Sequence, residues 1–179
     1  GDADLSSLVG GSNTTDPAVL EFDMVSTNFF TLQFQYVYAS GEYPNFIGSY
    51  NDPMAIFVST NHVGTNWINS ITNNIALVPG TTNVPVSVKT INGGSTNLVY
   101  RTYIPASNPQ YYVDNHDPDN AALPPYAAPA PVYNIQYDGT TVLLTAKALI
   151  SANVTNHINI AIADYGGYSG VDNLLDSAV

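Results

Sequence analysis

Short runs of alternating apolar and polar residues, separated by turn sequences, constrain the fold of this chain more than any other feature. Residues 19–25 and 30–38 alternate with a period of two, and residues 54–59 form a continuous apolar run. A period of two is that of a β-strand, and no segment carries the 3.6-residue period of an amphipathic helix of three or more turns. The chain is therefore predicted to be an all-β protein.

The spacing of these runs predicts a sandwich. We expect 19–25 to be a half-buried strand with Leu20, Phe22 and Met24 facing inward, next to strand 30–38, and we expect 54–59 to be more central. Further strands are predicted at 74–78, 84–88, 98–104, 132–137, 141–150 and 157–164. Roughly nine to eleven short strands indicate a two-sheet β-sandwich or jelly roll, mostly antiparallel. Residues 105–131, rich in Pro and Asn, are predicted to form one long loop.

Composition bounds the class of protein and its partners. The chain has 179 residues, three Lys and Arg, 14 Asp and Glu, a formal charge of -11 and no cysteine. This charge opposes binding to nucleic acid or anionic lipid, and the absence of cysteine excludes disulfides and thiolate sites. No long apolar segment predicts a membrane span. With 45% hydrophobic residues, the chain is long enough to form a single domain over 1–179.

A turn-rich loop between two apolar runs carries Glu42, Asn51 and Asp52. Oxygen side chains on loops suit a hard cation, and Ca²⁺ takes six to eight oxygen ligands. We therefore predict a calcium site from residues gathered at one end of the sandwich: Glu42, Asn51, Asp52, Asp164, Asp172 and Asp176. The alternative is that these Asn and Asp side chains cap their own turns.

A secondary metal candidate lies within the long loop, where Asn115, Asp117 and Asp119 are closely spaced. This segment lacks the glycine and the distal glutamate of an EF-hand loop. A solvated turn is the competing interpretation.

Aromatic residues provide a different candidate site. Trp67, Tyr111 and Tyr112 are predicted as ligand-binding candidates because aromatic rings can stack on sugars. The alternative for Trp67 is a buried position in the core.

Catalytic motifs are not found in the sequence. His62, His116 and His157 are widely spaced, and neither a His-Glu-x-x-His pair nor a Gly-x-Ser-x-Gly elbow accompanies them. A glycosidase could pair Glu42 with an aspartate, but nothing selects a particular partner. We therefore predict that the protein is not an enzyme.

Seven segments of the chain form an ordered set: GDADL (1–5), AVLEFD (18–23), ASGEYPNFIGSYND (39–52), NIALVPG (74–80), QYYVDN (110–115), IQYDG (135–139) and IAD (162–164). Taken together, and in this order, they resemble the choice-of-anchor L domain of secreted and surface-attached bacterial proteins. The resemblance implies an extracellular or cell-surface location and adds support to the metal site. Gly41 stands where the family commonly has a second acid, which removes one potential ligand. Family members usually continue beyond both ends, so we expect family sequence to be missing there.

The combined expectation is a non-enzymatic extracellular structural or adhesive module that is stabilised by calcium. Its copies are expected to assemble through sheet edges or strand donation into a homo-oligomer or filament. Other expected partners are surface proteins or glycans. The alternatives are a carbohydrate-binding module and, with less support, a polysaccharide hydrolase.

Overall fold

The structure, a computed structural model, describes residues 1–10, 14–60, 73–97, 102–115, 132–165 and 177–178. Within these ranges one α-helix, α1 (Ala3–Leu8), and one 3-10 turn (Pro109–Tyr111) accompany twelve strands. The strands are β1 (Thr15–Val25), β2 (Phe30–Tyr36), β3 (Ala39–Ser40), β4 (Met54–Thr60), β5 (Asn73–Asn74), β6 (Ser95–Asn97), β7 (Thr102–Ile104), β8 (Tyr112–Asp114), β9 (Gly139–Thr141), β10 (Leu144–Ile150), β11 (Thr155–Asp164) and β12 (Ser177–Ala178). All named strand pairs are antiparallel, which confirms the predicted all-β sandwich.

The first sheet has the strand order β1-β11-β4-β5. Its two central strands, β4 and β11, are buried on both faces because a second layer of protein covers each side. On one face Ile56 and Ile158 enter the main core. On the other face Leu5 of helix α1 packs against a small cluster that includes Phe57 and Ala161. The prediction that 54–59 is a central strand is confirmed.

The second layer contains β10 paired with β2, and the four strands β12-β3-β9-β8. Tyr38 joins the two ladders, since its carbonyl accepts a hydrogen bond from the Thr141 N–H at 2.8 Å and its N–H donates to the Thr141 hydroxyl at 3.0 Å. Inward side chains of this layer, including Tyr36 and Leu144, share one core cluster with those of the first sheet. A small ribbon of β6 and β7 is separate.

The prediction that the first two long strands are neighbours is wrong. β1 pairs with β11, and β2 pairs with β10, so the two strands belong to different layers. β1 is also more exposed than predicted, because it is an edge strand and Leu20 and Phe22 remain 61% and 39% exposed. On β2 the alternation is confirmed, with burial increasing toward Tyr36.

Several local boundaries also differ from prediction. The 105–131 loop contains a 3-10 turn and β8, while 116–131 lies outside the described residues. Residues 132–137 form bends because Asn115 holds this segment by side-chain hydrogen bonds in place of a strand partner. The run 141–150 splits into β9 and β10. Residues 74–78 and 84–88 meet at one isolated bridge, between Leu77 and Pro85, and of 98–104 the structure describes only β7.

No helix in the described part of the chain is both long and apolar enough to span a membrane.

Candidate cation site

The loop between β3 and β4 is folded inward. Residues 41–50 form successive turns, closed in part by hydrogen bonds from the Phe46 N–H to the Glu42 carbonyl and from the Tyr50 N–H to the Phe46 carbonyl. Glu42 and Tyr43 are both fully buried, and the Tyr43 hydroxyl donates to the Ile91 carbonyl at 2.6 Å. A glutamate predicted in a turn-rich loop therefore lies inside the protein.

The strand register places Asp52 directly opposite Asp164. β4 and β11 pair Met54 with Ile162, and two further hydrogen bonds continue this register. These run from the Ala163 N–H to the Pro53 carbonyl at 3.2 Å and from the Asn51 N–H to the Tyr165 carbonyl at 2.8 Å. Since the pairs on either side are hydrogen-bonded, Asp52 and Asp164 occupy the intervening non-hydrogen-bonded position.

At such a position the Cβ atoms of opposite residues lie about 4.5–5.5 Å apart and share one face of the sheet. Both residues have the parity of Met54 and Ile162, whose side chains enter the main core. Asp52 is fully buried and Asp164 is 7% exposed. The fold thus brings two buried carboxyl groups together at one end of its most central strand pair.

Hydrogen bonds fix the Asp52 carboxylate. Its Oδ1 accepts from the Tyr165 N–H at 3.2 Å, and its Oδ2 accepts from the Ser40 hydroxyl at 3.3 Å. The same Ser40 oxygen accepts from the Glu42 N–H at 3.0 Å. Ser40 therefore links the start of the loop to the acidic pair, and the carboxylate is oriented before any ligand binds.

The charge of Asp52 also affects the phenol of Tyr43. Burial, followed by the charges of Tyr112 and Asp52, raises the pKa of Tyr43 well above its usual value. Like charges directly opposite each other in a sheet are destabilising. A cation or a proton at the Asp52 and Asp164 pair would relieve this repulsion.

The other predicted ligands are distributed unevenly. The Asn51 side-chain oxygen accepts from the Lys89 N–H at 3.3 Å, so it fastens a neighbouring loop. Asp172 and Asp176 lie outside the described residues. Within the described ranges, no group of three or more His, Cys, Asp or Glu side chains has an arrangement that could hold a metal ion.

In the secondary metal candidate, Asn115 has a structural role. Asn115 is buried, donating to the Tyr137 carbonyl at 2.8 Å and accepting from the Tyr133 N–H at 2.6 Å. Its side chain therefore bridges β8 and the 132–138 segment. Asp117 and Asp119 lie outside the described residues.

The aromatic candidates are not equivalent. The Tyr112 ring packs against Tyr43 with centroids 5.0 Å apart, and its burial raises the pKa of its phenol. Tyr111 is half-buried, and its hydroxyl donates to the Pro79 carbonyl at 3.5 Å. Trp67 lies outside the described residues.

Sequence reasoning identified both aspartates of the pair but missed their register and missed Ser40. One signal could have indicated the pairing. Asp52 comes just before the apolar run that becomes β4, and Asp164 ends the run that becomes β11. Antiparallel pairing of these two runs brings the two carboxyl groups to the same end of the sheet.

These features define an antiparallel two-layer β-domain with buried acidic residues at one end of its first sheet. The family model of the choice-of-anchor L domain matches residues 1–179, and the chain belongs to this family. The predicted resemblance is thereby confirmed, and membership indicates a surface-associated bacterial module. No curated protein and no solved structure matches the chain.

Proposed function

We propose that the protein is a non-enzymatic extracellular structural or adhesive module, stabilised by Ca²⁺ and associating with copies of itself through its sheet edges. Family membership supports the surface location. The calcium part rests chiefly on one observation, the cross-strand placement of the buried Asp52 and Asp164 carboxyl groups.

The chemistry of this end of the sheet fits a hard cation. Burying a carboxylate is costly unless its charge is compensated, and a bound divalent cation would provide such compensation. The Asp52 and Asp164 carboxylates and the Ser40 hydroxyl are all oxygen ligands of the kind Ca²⁺ prefers. Fully buried Glu42 follows Ser40 closely in the chain and is the next candidate ligand.

Bound Ca²⁺ would supply positive charge at the end of the β4–β11 pair. Any ligand that binds only the folded state stabilises it, by about 2.7 kcal/mol at a concentration one hundred times its dissociation constant. For a domain of this length, that corresponds to a rise in Tm of about 5–11 °C. A structural module outside the cell would gain this stability from the calcium around it.

The test is thermal unfolding of the whole chain in a chelator, in excess Ca²⁺ and in equal Mg²⁺. The proposal predicts a rise in Tm with Ca²⁺ that Mg²⁺ does not reproduce, because Mg²⁺ requires a smaller octahedral site and dehydrates reluctantly. Equal Tm values in chelator and in Ca²⁺ would contradict the calcium part. Self-association is tested separately, by molecular mass against concentration.

A further inference from the structure

Among the described residues, the sandwich is open along one side. β1 is the last strand of the first sheet, and β2 is the last described strand of its two-stranded ladder. A short connector, residues 26–29, joins them, and the Asn153 N–H donates to the Ser26 carbonyl at 2.6 Å to tie this connector to the β10–β11 connection. The outer edges of both strands thus belong to the same side of the molecule.

Burial falls steeply toward this side. Across the first sheet, Phe22 on β1 is 39% exposed, whereas its partner Ile158 on β11 is fully buried. In the second layer, Phe30 on β2 is 36% exposed, whereas its partner Ile150 on β10 is fully buried. The described part of the chain therefore covers the apolar side chains between the two sheets only partly at the β1 and β2 edges.

The two edges differ in how they are protected against pairing. β1 has a register shift between Thr15 and Ala18, contains Pro17, has Asp16 at a φ of 45°, and carries two further acids. Bulges, prolines and charges are the usual devices that keep an edge strand from pairing with another chain. β2, with the sequence FTLQFQY, has none of these devices.

Charge points to a second copy of this chain as the partner. The molecule has a formal charge of -11, so two copies repel each other over most surfaces. The β2 and β10 strands contain no acidic residue and one basic residue, Lys147, which lies opposite Gln33. Two acidic molecules can therefore approach each other through this ribbon at a low electrostatic cost.

We propose that two copies pair antiparallel through the outer edges of β2, with Gln33 of each copy at the two-fold axis. This rests on the self-association in the proposed function and assigns it to one strand and one register. Leu32 of one copy then lies opposite Phe34 of the other, and Phe30 opposite Tyr36, so apolar residues meet apolar residues. The second sheet becomes continuous across the dimer, and the pairing closes at two copies because the interface is isologous.

The pairing depends on the direction of the backbone groups of β2. The proposed pairing requires the N–H and C=O groups of residues 32, 34 and 36 to point toward β10, as the carbonyl of Tyr38, two residues beyond β2, points toward β9. The N–H and C=O groups of Thr31, Gln33 and Gln35 then point outward. Gln33 pairs with its own copy at a hydrogen-bonded position, where the Cα atoms lie about 5.5 Å apart.

Cysteine cross-linking tests this register directly, since the natural chain has no cysteine. A Cα separation of about 5.5 Å is suitable for a disulfide, so the Gln33→Cys variant is expected to give a cross-linked dimer on mild oxidation. The matched control is Gln35→Cys, also an exposed polar position of β2. Its Cα atoms would lie about 14 Å apart across the axis, four residues along the strand, which is too far for a disulfide.

A second variant tests the hydrogen bonding. Gln33→Pro removes an outward N–H and leaves the β2–β10 hydrogen bonds in place, because proline is tolerated on edge strands. Losing one hydrogen bond per copy should weaken dimerisation by about tenfold or more in sedimentation equilibrium, while Gln33→Thr should leave it unchanged. Circular dichroism verifies that each variant is folded.

The outcomes separate this inference from the proposed function. Cross-linking at position 33 and not at 35, with weakened dimerisation for Gln33→Pro, supports the inference. The natural chain could associate while cross-linking occurs at neither position, at 35 alone or equally at both. That result overturns the assigned edge and register, but it leaves self-association standing. A protein that stays monomeric at high concentration overturns both, without affecting the calcium test. Assemblies that grow beyond two copies through β2 also overturn the closed pairing.

Discussion

Replacing Asp52 by asparagine should have opposite effects on stability in the absence and presence of calcium. Asparagine has nearly the shape of aspartate and can still accept the hydrogen bond from the Tyr165 N–H and pair with the Ser40 hydroxyl. The change therefore removes a charge while keeping the contacts. In a chelator the Asp52→Asn variant is expected to be more stable than the natural chain, because one of two opposed buried charges is gone.

The magnitude follows from the strand register. Two unit charges about 5 Å apart interact by about 3 kcal/mol at an effective dielectric constant of 20. This is an upper bound on the relief, because the other interactions of the two carboxyl groups already offset part of the repulsion. For a domain of this length the bound corresponds to a Tm increase of about 6–12 °C in chelator. In saturating Ca²⁺ the order of stability should reverse, because the variant loses a ligand.

The assay is calorimetric unfolding of both proteins at neutral pH, with chelator and with Ca²⁺. Asp23→Asn is the matched control, because Asp23 is a carboxylate on the exposed strand β1 that contacts His157 at 2.8 Å. That variant should keep the full calcium response. An Asp52→Asn variant that responds to Ca²⁺ as the natural chain does would refute the reasoning, as would a loss of stability in chelator.

Five further substitutions test the packing of the site, the core and the sheet edge. Tyr43→Phe should lower the free energy of unfolding by about 1–3 kcal/mol in denaturant unfolding, because it leaves the buried Ile91 carbonyl without its hydrogen bond. Tyr112→Phe should be near neutral, because the Tyr112 hydroxyl is buried without a hydrogen-bond partner among the described residues. Because the folded pKa of Tyr43 is raised above the unfolded value of about 10, its stabilising effect should be complete below pH 10 and be lost above it, as pH-dependent unfolding would show. Gly139→Ala should cost about 1–3 kcal/mol, since an added Cβ would lie 2.7 Å from the Tyr43 ring, and thermal unfolding measures the loss. Ile158→Ala should cost about 2–5 kcal/mol, whereas Leu20→Ala on the same sheet face should cost much less because Leu20 is exposed; equal losses would contradict the open edge of the sandwich.

The strands that the sequence predicted well are those that are covered by protein on both faces. The run 54–59 is apolar at every position because both of its faces are covered, and it became the central strand β4. The isoleucines of β11 likewise share one face, as their alternation required. In these strands local pattern and final environment agree.

The elements predicted badly depend on contacts that a local pattern does not contain. The two consecutive alternating runs were predicted to be neighbouring strands, but β1 and β2 each pair with a strand far along the chain. The alternation of β1 indicated a buried face, yet the strand order leaves that face at an open edge. Residues 132–137 resembled a strand, and hydrogen bonds from Asn115 hold them as bends.

The candidate site shows the same division. The sequence indicated that Glu42, Asp52 and Asp164 belong to one end of a sandwich, because all three come at strand ends or turns. It could not show that Asp52 and Asp164 are opposite each other, since this depends on the register of two strands far apart in the chain. It also could not show that Glu42 is buried, because turn sequences ordinarily lie at the surface.

The most direct test of the account is a crystal structure of the protein grown with Ca²⁺. The account predicts a calcium ion at the end of the β4–β11 pair, with carboxylate oxygens of Asp52 and Asp164 at about 2.3–2.6 Å. A calcium ion bound elsewhere, or none at this position in crystals saturated with Ca²⁺, would contradict it.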